Sequence, residues 1–264
     1  MTTHIEELLT FTQETAVNAG HLVREKYYQP LEIRQKGFRD IVTDADIAAQ
    51  KLITDTIQSS YPTHGFLTEE KDSKLPTDGD VIWVIDPIDG TTNYSRLQPL
   101  FCVSIAAQIA GKSVVGAIYD PMRNELFSAA KGLGSHLNGN AIQVSAVNSL
   151  EKTIVALDWS RHKGLRTSTL DILACFAHQV QVVRAIGSAA LAMAWIAAGR
   201  FDVYLNFNLR PWDVAAADIL INEAGGMLSD LYGDPLSWAR KGMSGVSSNG
   251  RIHQSFLDTF QDVL

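Results

Sequence analysis

The sequence predicts a mixed α/β protein. Helix-period and strand-like segments alternate along all 264 residues with no internal repeat, and apolar residues make up 46% of the chain. Charged residues are 19%, which is globular composition rather than that of a disordered or coiled-coil chain. Residues 4–27 carry Ile5, Leu8, Leu9, Ala16 and Leu22 at helical spacing and stop before Pro30. Residues 43–58 predict a second amphipathic helix, with Ala48, Ala49, Leu52, Ile53 and Ile57 on one face. VIWVI (81–85) is a wholly apolar strand. From Phe101 to Ser145, four strand-like pieces separated by Gly111-Lys112, Pro121 and Gly132–Gly134 predict an antiparallel meander. Beyond residue 150, TIVALDW and VQVVRAI read as strands. Residues 188–199 and 213–224 read as helices, the latter stopped by Gly225-Gly226. A division near Leu150 into parts 1–150 and 151–264 is expected, though no Pro/Ser-rich linker marks it.

Charge and composition exclude several functions. The formal charge of −7 argues against nucleic acid as the main partner, because that binding rests on Lys and Arg neutralising phosphates. The N-terminus carries acids where a secretory signal needs a basic start. The longest apolar stretch, 185–199 between Arg184 and Arg200, is shorter than the ~20 residues of a membrane span. A cytoplasmic protein that does not bind membranes is expected. Cys102 and Cys175 form no metal or disulfide pattern and read as small buried hydrophobes. There is no P-loop, no dinucleotide fingerprint, no serine nucleophile elbow and no His-based zinc motif.

Carboxylates in unusual settings remain. Asp86-Pro87-Ile88-Asp89-Gly90-Thr91-Thr92-Asn93 leaves the apolar strand with two acids three residues apart. Such a pair repels unless it is protonated or bridged by a cation, and oxygen-only donors favour Mg²⁺ or a similar hard ion. The Gly90–Thr92 turn would suit a phosphate beside that ion, through backbone N–H groups and hydroxyls. The same letters also describe an Asp-capped turn. Glu69 and Glu70 end another strand-like piece and read alone as a solvated loop. Asp213 begins the helix VAAADILINEA, where a capping role and a ligand role are compatible. Thr43 and Asp46 have capping-box spacing.

WVIDPIDGTTNY (83–94) and WDVAAADILINEAGG (212–226) resemble the two signature motifs of the inositol monophosphatase family. IVTDAD (41–46), GFLTEE (65–70), YDPMRNELF and RPWD resemble its bacterial members, in register from about residue 5 to 260. The resemblance implies a layered αβαβα sandwich, typically a homodimer, that hydrolyses a small phosphate ester with two or three Mg²⁺ ions. Mn²⁺ is the implied substitute and Li⁺ the implied inhibitor. Glu69, Asp86, Asp89, Asp213 and the Ile88 carbonyl are then metal ligands. Gly90, Thr91 and Thr92 hold the phosphate, and Thr91 with Asp46 orients or deprotonates the attacking water. No covalent intermediate is implied.

One position departs from the family pattern. Asn206 stands where members acting on inositol phosphates carry a Glu that contacts the substrate ring. Its amide still bonds hydroxyls, without charge assistance. Inositol 1-phosphate is the first expectation; fructose 1,6-bisphosphate, histidinol phosphate, NADP and 3′-phosphoadenosine phosphate are substrates of other branches, and GTTN leans away from the histidinol-phosphate and nucleotide branches. A regulatory binding protein that keeps the fold without the activity is the alternative of another class. Lys36-Gly37 reads equally as a solvated loop and as an arm reaching toward the site.

Overall fold

A computed structural model describes residues 2–236 and 242–264. Helix α1 (Thr2–Tyr27) and helix α2 (Asp44–Ser60) flank a hairpin of β1 (Ile33–Gly37) and β2 (Asp40–Thr43). Leu8, Thr12, Ala16, Ala19, Val23 and Tyr27 of α1 are buried, three or four residues apart, so one stripe faces inward. In α2 the stripe is Ala45, Ala49, Ile53 and Ile57. That helix ends at Tyr61, which precedes Pro62 and is pushed out of helical geometry.

Seven strands follow: β3 (Gly65–Thr68), β4 (Val81–Asp89), β5 (Cys102–Ile109), β6 (Lys112–Asp120), β7 (Glu125–Ala130), β8 (Gly134–Leu137) and β9 (Asn140–Ile142). They pair in sequence order into one sheet, β3–β4 parallel and the rest antiparallel, with β5–β9 forming the predicted meander. The short helix α3 (Thr91–Ser95) links β4 to β5. The sheet is buried on both faces, which explains its uninterrupted apolar runs. Along β5, Val103, Ile105 and Ala107 pack under α1 and α2, while Cys102 and Ala106 face the opposite way.

The second sheet has the order β11 (Val182–Arg184), β10 (Ile154–Leu157), β12 (Val203–Leu209), β14 (Met243–Ser248), β13 (Met227–Ser229). Between the sheets lie α5 (Ala189–Ala197) and α6 (Pro211–Glu223). This position explains the long apolar stretch at 185–199: nearly every residue of α5 is buried because it has sheet on both sides. No described helix is long and apolar enough to cross a membrane. Helices α4 (Lys163–Phe176) and α7 (His253–Asp258) cover the outer face of the second sheet through Ile172, Phe176, Phe256 and Leu257. The layers are therefore αβαβα.

The first hairpin, α4, α7 and strands β12–β14 were not assigned from the sequence pattern. Helix α4 buries only Thr169, Ile172 and Phe176 and opens on Lys163-Gly164, so its period is weak. The Cys residues differ from expectation in one respect: Cys102 is fully buried, whereas Cys175 is only half-buried at the edge of α4.

Candidate functional site

Strands β3 and β4 run parallel, so their C-terminal ends deliver Glu69 and Asp86 to the same sheet edge. The Glu69 N–H donates to the Ile85 carbonyl at 3.1 Å, extending the ladder by one step. Opposite β5, three residues from Asp86 to Asp89 span two from Cys102 to Ser104. This bulge falls at Pro87, which has no N–H to offer the ladder, and it re-aims the strand end. Asp86 Oδ1 accepts the Ile88 N–H at 3.0 Å. Asp213 arrives from the other sheet, in the first turn of α6, where Oδ2 accepts the Arg210 N–H at 2.7 Å. Asp86, Asp89 and Asp213 each place a carboxylate oxygen within 4.8 Å of the others.

Their environment is costly for anions. Burial pushes the Asp86 carboxyl well above its ordinary range, and the charges of Glu69, Asp89 and Asp213 push it further. Asp213 is raised by burial and then by Asp89. Asp89 rises only to about 6, because the Ser188 hydroxyl (2.7 Å) and the Ala190 N–H (2.6 Å) at the start of α5 oppose burial by donating to Oδ2. Two buried carboxylates and a half-buried third, all mutually repelling, are a donor set that a hard divalent cation would satisfy.

Glu69 is engaged differently. Lys36 on β1 lies 3.1 Å from Glu69 and 2.5 Å from Glu70. Burial opposes the Lys36 charge, but the two glutamates outweigh it and hold the ammonium above its usual range. The solvated-loop readings of Lys36 and of Glu69-Glu70 are thus overturned: Glu70 is buried, and its backbone pairs with the Gln50 amide. Sequence spacing misses this contact because β1 was not recognised as a strand folding back over the edge.

Asp46 makes contacts on both sides. Its Oδ2 accepts the Thr43 N–H (2.7 Å) and hydroxyl (2.5 Å), closing the capping box of α2. Its Oδ1 faces the Thr91 hydroxyl at 3.2 Å, and that hydroxyl also lies 3.1 Å from the Ile88 carbonyl. Burial raises the Asp46 carboxyl to about 7 against the Thr43 bonds, with Glu69 and Glu70 adding to the rise. Gly90 precedes α3 at φ 101°, and a Cβ there would stand 2.9 Å from the Leu100 carbonyl oxygen. Gly90→Ala is expected to cost on the order of 1–3 kcal/mol in chemical denaturation. A loss below about 0.5 kcal/mol would show that the turn adapts.

Thr92 is exposed at the first turn of α3. Asn206, on β12, is half-buried and donates from Nδ2 to the Tyr204 hydroxyl at 2.7 Å. Ser188 and Asp158 were not anticipated. Ser188 precedes an apolar helix, the usual N-cap signal, yet it gives its hydroxyl to Asp89 rather than to the helix.

The layers and the site define a class: an αβαβα protein with a buried, oxygen-lined acidic centre suited to a hard cation, at the junction of its two sheets. Comparison with known proteins narrows this class. A model described as the inositol monophosphatase family matches residues 4–264. Nus factor SuhB of Salmonella typhimurium is 42% identical over 260 residues, 97% of each chain. Inositol monophosphatase 2 of Solanum lycopersicum is 32% identical over 265 residues, 98% of this chain and 99% of the relative. The crystal structure of extragenic suppressor protein suhB from Bartonella henselae superposes with a TM-score of 0.92 at 32% identity, covering 98% of this chain and all of that one. The chain belongs to the inositol monophosphatase family.

Proposed function

We propose that this protein is a Mg²⁺-dependent phosphomonoesterase that hydrolyses inositol 1-phosphate to inositol and phosphate. The observation that carries the reading is the convergence of Asp86, Asp89 and Asp213 within 4.8 Å, with Thr91 on the turn that follows and Asp46, at the start of α2, facing its hydroxyl. Glu69, Asp86, Asp89, Asp213 and the Ile88 carbonyl would hold two or three Mg²⁺ ions, or Mn²⁺ in their place. Bound metal supplies Lewis acidity, which lowers the pKa of water and shields phosphate charge.

The chain's own groups do the rest. The first turn of α3 has N–H groups without intrahelical partners, so Gly90, Thr91 and Thr92 can hold phosphate oxygens. Asp46 Oδ1 accepts the Thr91 proton, leaving a lone pair on Thr91 Oγ for an incoming water. As the water attacks phosphorus, its proton passes to Thr91 Oγ while the Thr91 proton passes to Asp46; the P–O bond to inositol breaks, and the departing inositol oxygen takes a proton from solvent water. Burial, which raises the Asp46 carboxyl, favours its taking up that proton.

Lithium sensitivity, a homodimer, a cytoplasmic location and a functional division into 1–150 and 151–264 belong to the same proposal. Phosphate release from inositol 1-phosphate should require Mg²⁺, stop on chelation with EDTA and return on adding Mg²⁺ back. Fructose 1,6-bisphosphate, histidinol phosphate and NADP are the comparison substrates, and a higher kcat/KM on one of them would reassign the ester. The name Nus factor, carried by bacterial relatives, supports a second reading: a binding or regulatory protein on the same fold. Complete absence of phosphate release across that panel with Mg²⁺ would establish the second reading over the first.

A further inference from the structure

Beside the acidic centre runs a hydrogen-bonded chain that the proposed reaction does not use. Asp158, just beyond the end of β10, is buried. Its Oδ1 accepts the Gly187 N–H at 2.7 Å, and its Oδ2 accepts the Tyr204 hydroxyl at 3.1 Å. Tyr204 is fully buried on β12, and its oxygen accepts from Asn206 Nδ2 at 2.7 Å. Tyr204 and Asn206 are two apart on one strand and so share the face turned toward the layer of α5 and α6. Asp158 holds Gly187, whose neighbour Ser188 donates to Asp89 Oδ2 at 2.7 Å, and this places the chain against the acidic centre.

The donor and acceptor inventory fixes every polarity in the chain. Above about pH 7, where Asp158 is ionised, its carboxylate only accepts, so the single Tyr204 proton points to Asp158. The tyrosine oxygen is then left as an acceptor, and only the NH₂ end of the Asn206 amide can satisfy it. The carbonyl end, Oδ1, is thereby turned away, and no hydrogen bond among the described residues reaches it. Asp158 also ties down Gly187, the residue before Ser188, and Ser188 bonds Asp89. One buried carboxylate thus anchors both the segment beside Asp89 and the amide of Asn206.

We propose that Asp158 and Tyr204 are positioning residues which lock the Asn206 amide with Oδ1 facing the alcohol half of the substrate, making this side of the site an acceptor for the hydroxyls of an uncharged polyol ester. The inference rests on the phosphatase reading above and deepens it. A freely turning amide would offer NH₂ as readily as C=O and would discriminate less between hydroxyl donors and other groups.

The test is a double-mutant cycle read as KM and kcat on two esters, inositol 1-phosphate and phenyl phosphate, which has no hydroxyl. Tyr204→Phe keeps the ring and removes the relay. It should raise KM for inositol 1-phosphate roughly fivefold, the worth of about one hydrogen bond, with kcat changed less than twofold. KM for phenyl phosphate should move less than twofold. In an Asn206→Ala background, Tyr204→Phe should have no further effect on KM, because its action runs through the amide. Equal losses on both esters, an unchanged KM, or additive effects in the double mutant would overturn the inference while leaving the phosphatase reading intact. No hydrolysis of either ester by the unsubstituted protein would overturn both. If Tyr204→Phe does not fold, Asn206→Ala alone carries the two-ester comparison: an unchanged KM for inositol 1-phosphate, or an equal rise for phenyl phosphate, would overturn the inference.

Discussion

Asp213→Asn is expected to cut Mg²⁺-dependent phosphate release at least about a hundredfold while raising the melting temperature of the metal-free protein. The loss follows from removing one of the three carboxylates whose oxygens converge within 4.8 Å, since changing even the outer partners of a metal ligand costs roughly 10–100-fold in affinity or activity. The gain in stability comes from the same carboxylate. Asp213 is half-buried, and desolvation followed by the Asp89 charge raises its carboxyl well above the usual range. A neutral amide of the same shape removes a charge from among like charges. It still has an oxygen to accept the Arg210 N–H that Asp213 now accepts at 2.7 Å, so the first turn of α6 keeps its cap. Activity assays and metal-free thermal melts on one preparation check both halves. A variant that keeps its turnover would sink the metal-ligand role. A variant that melts lower without metal would show that Asp213 holds α6 in place more than it strains the centre.

Much of this site was legible because its chemistry is compressed into one short stretch. The acids of Asp86–Asn93 were read as following the apolar strand 81–85; the strand runs on through Asp89, and Asp86 and Asp89 lie together with Asp213. Asp213 was legible for a different reason: it opens a helix whose apolar run and Gly-Gly stop are strong signals. What local pattern cannot reveal is which distant groups fold against these acids. Lys36 lies thirty-three residues before Glu69 and meets it through an exposed five-residue strand with no apolar alternation. Ser188 reaches Asp89 across ninety-nine residues and two layers. Asp158 is a lone acid after a four-residue strand, and only the pairing of β10 with β12 brings it to Tyr204. The roles of Asp46 competed at the sequence level because capping was judged by spacing alone. In three dimensions a carboxylate has two oxygens, and Asp46 spends one on Thr43 and the other on Thr91.

The metal-free protein is expected to lose stability as pH rises from 6.5 to 8, and Mg²⁺ should reverse most of that loss. A carboxyl whose folded pKa lies above its unfolded value binds more protons in the native state than in the unfolded one. Stability then falls with pH between the two values, by about 1.4 kcal/mol per proton per pH unit at full difference. Asp46 and Asp158 are raised by burial to about 7, and burial raises Asp86 and Asp213 well above the ordinary range. Asp46 and Asp158 therefore continue to favour the folded state in their protonated form above pH 6.5, and the upward shifts of Asp86 and Asp213 act in the same direction. Two histidines act in the opposite sense: burial lowers His64 and His253, so their contribution is present above the unfolded value of 6.5 and is lost as pH falls through it. Below 6.5 the acids and histidines oppose each other, and the curve should be shallower there. Above 6.5 only the acids titrate, and the slope is theirs. Magnesium binds ionised carboxylates in competition with protons. Its stabilising effect should therefore be larger at pH 8 than at pH 6, whereas a ligand at an unrelated surface site would shift both melts alike. Thermal melts at half-unit steps from pH 5 to 8, with EDTA and with Mg²⁺, separate these outcomes. A metal-free melting temperature that climbs between 6.5 and 8 would mean that the buried acids are neutralised by partners inside the fold, and that the centre is not built around a cation.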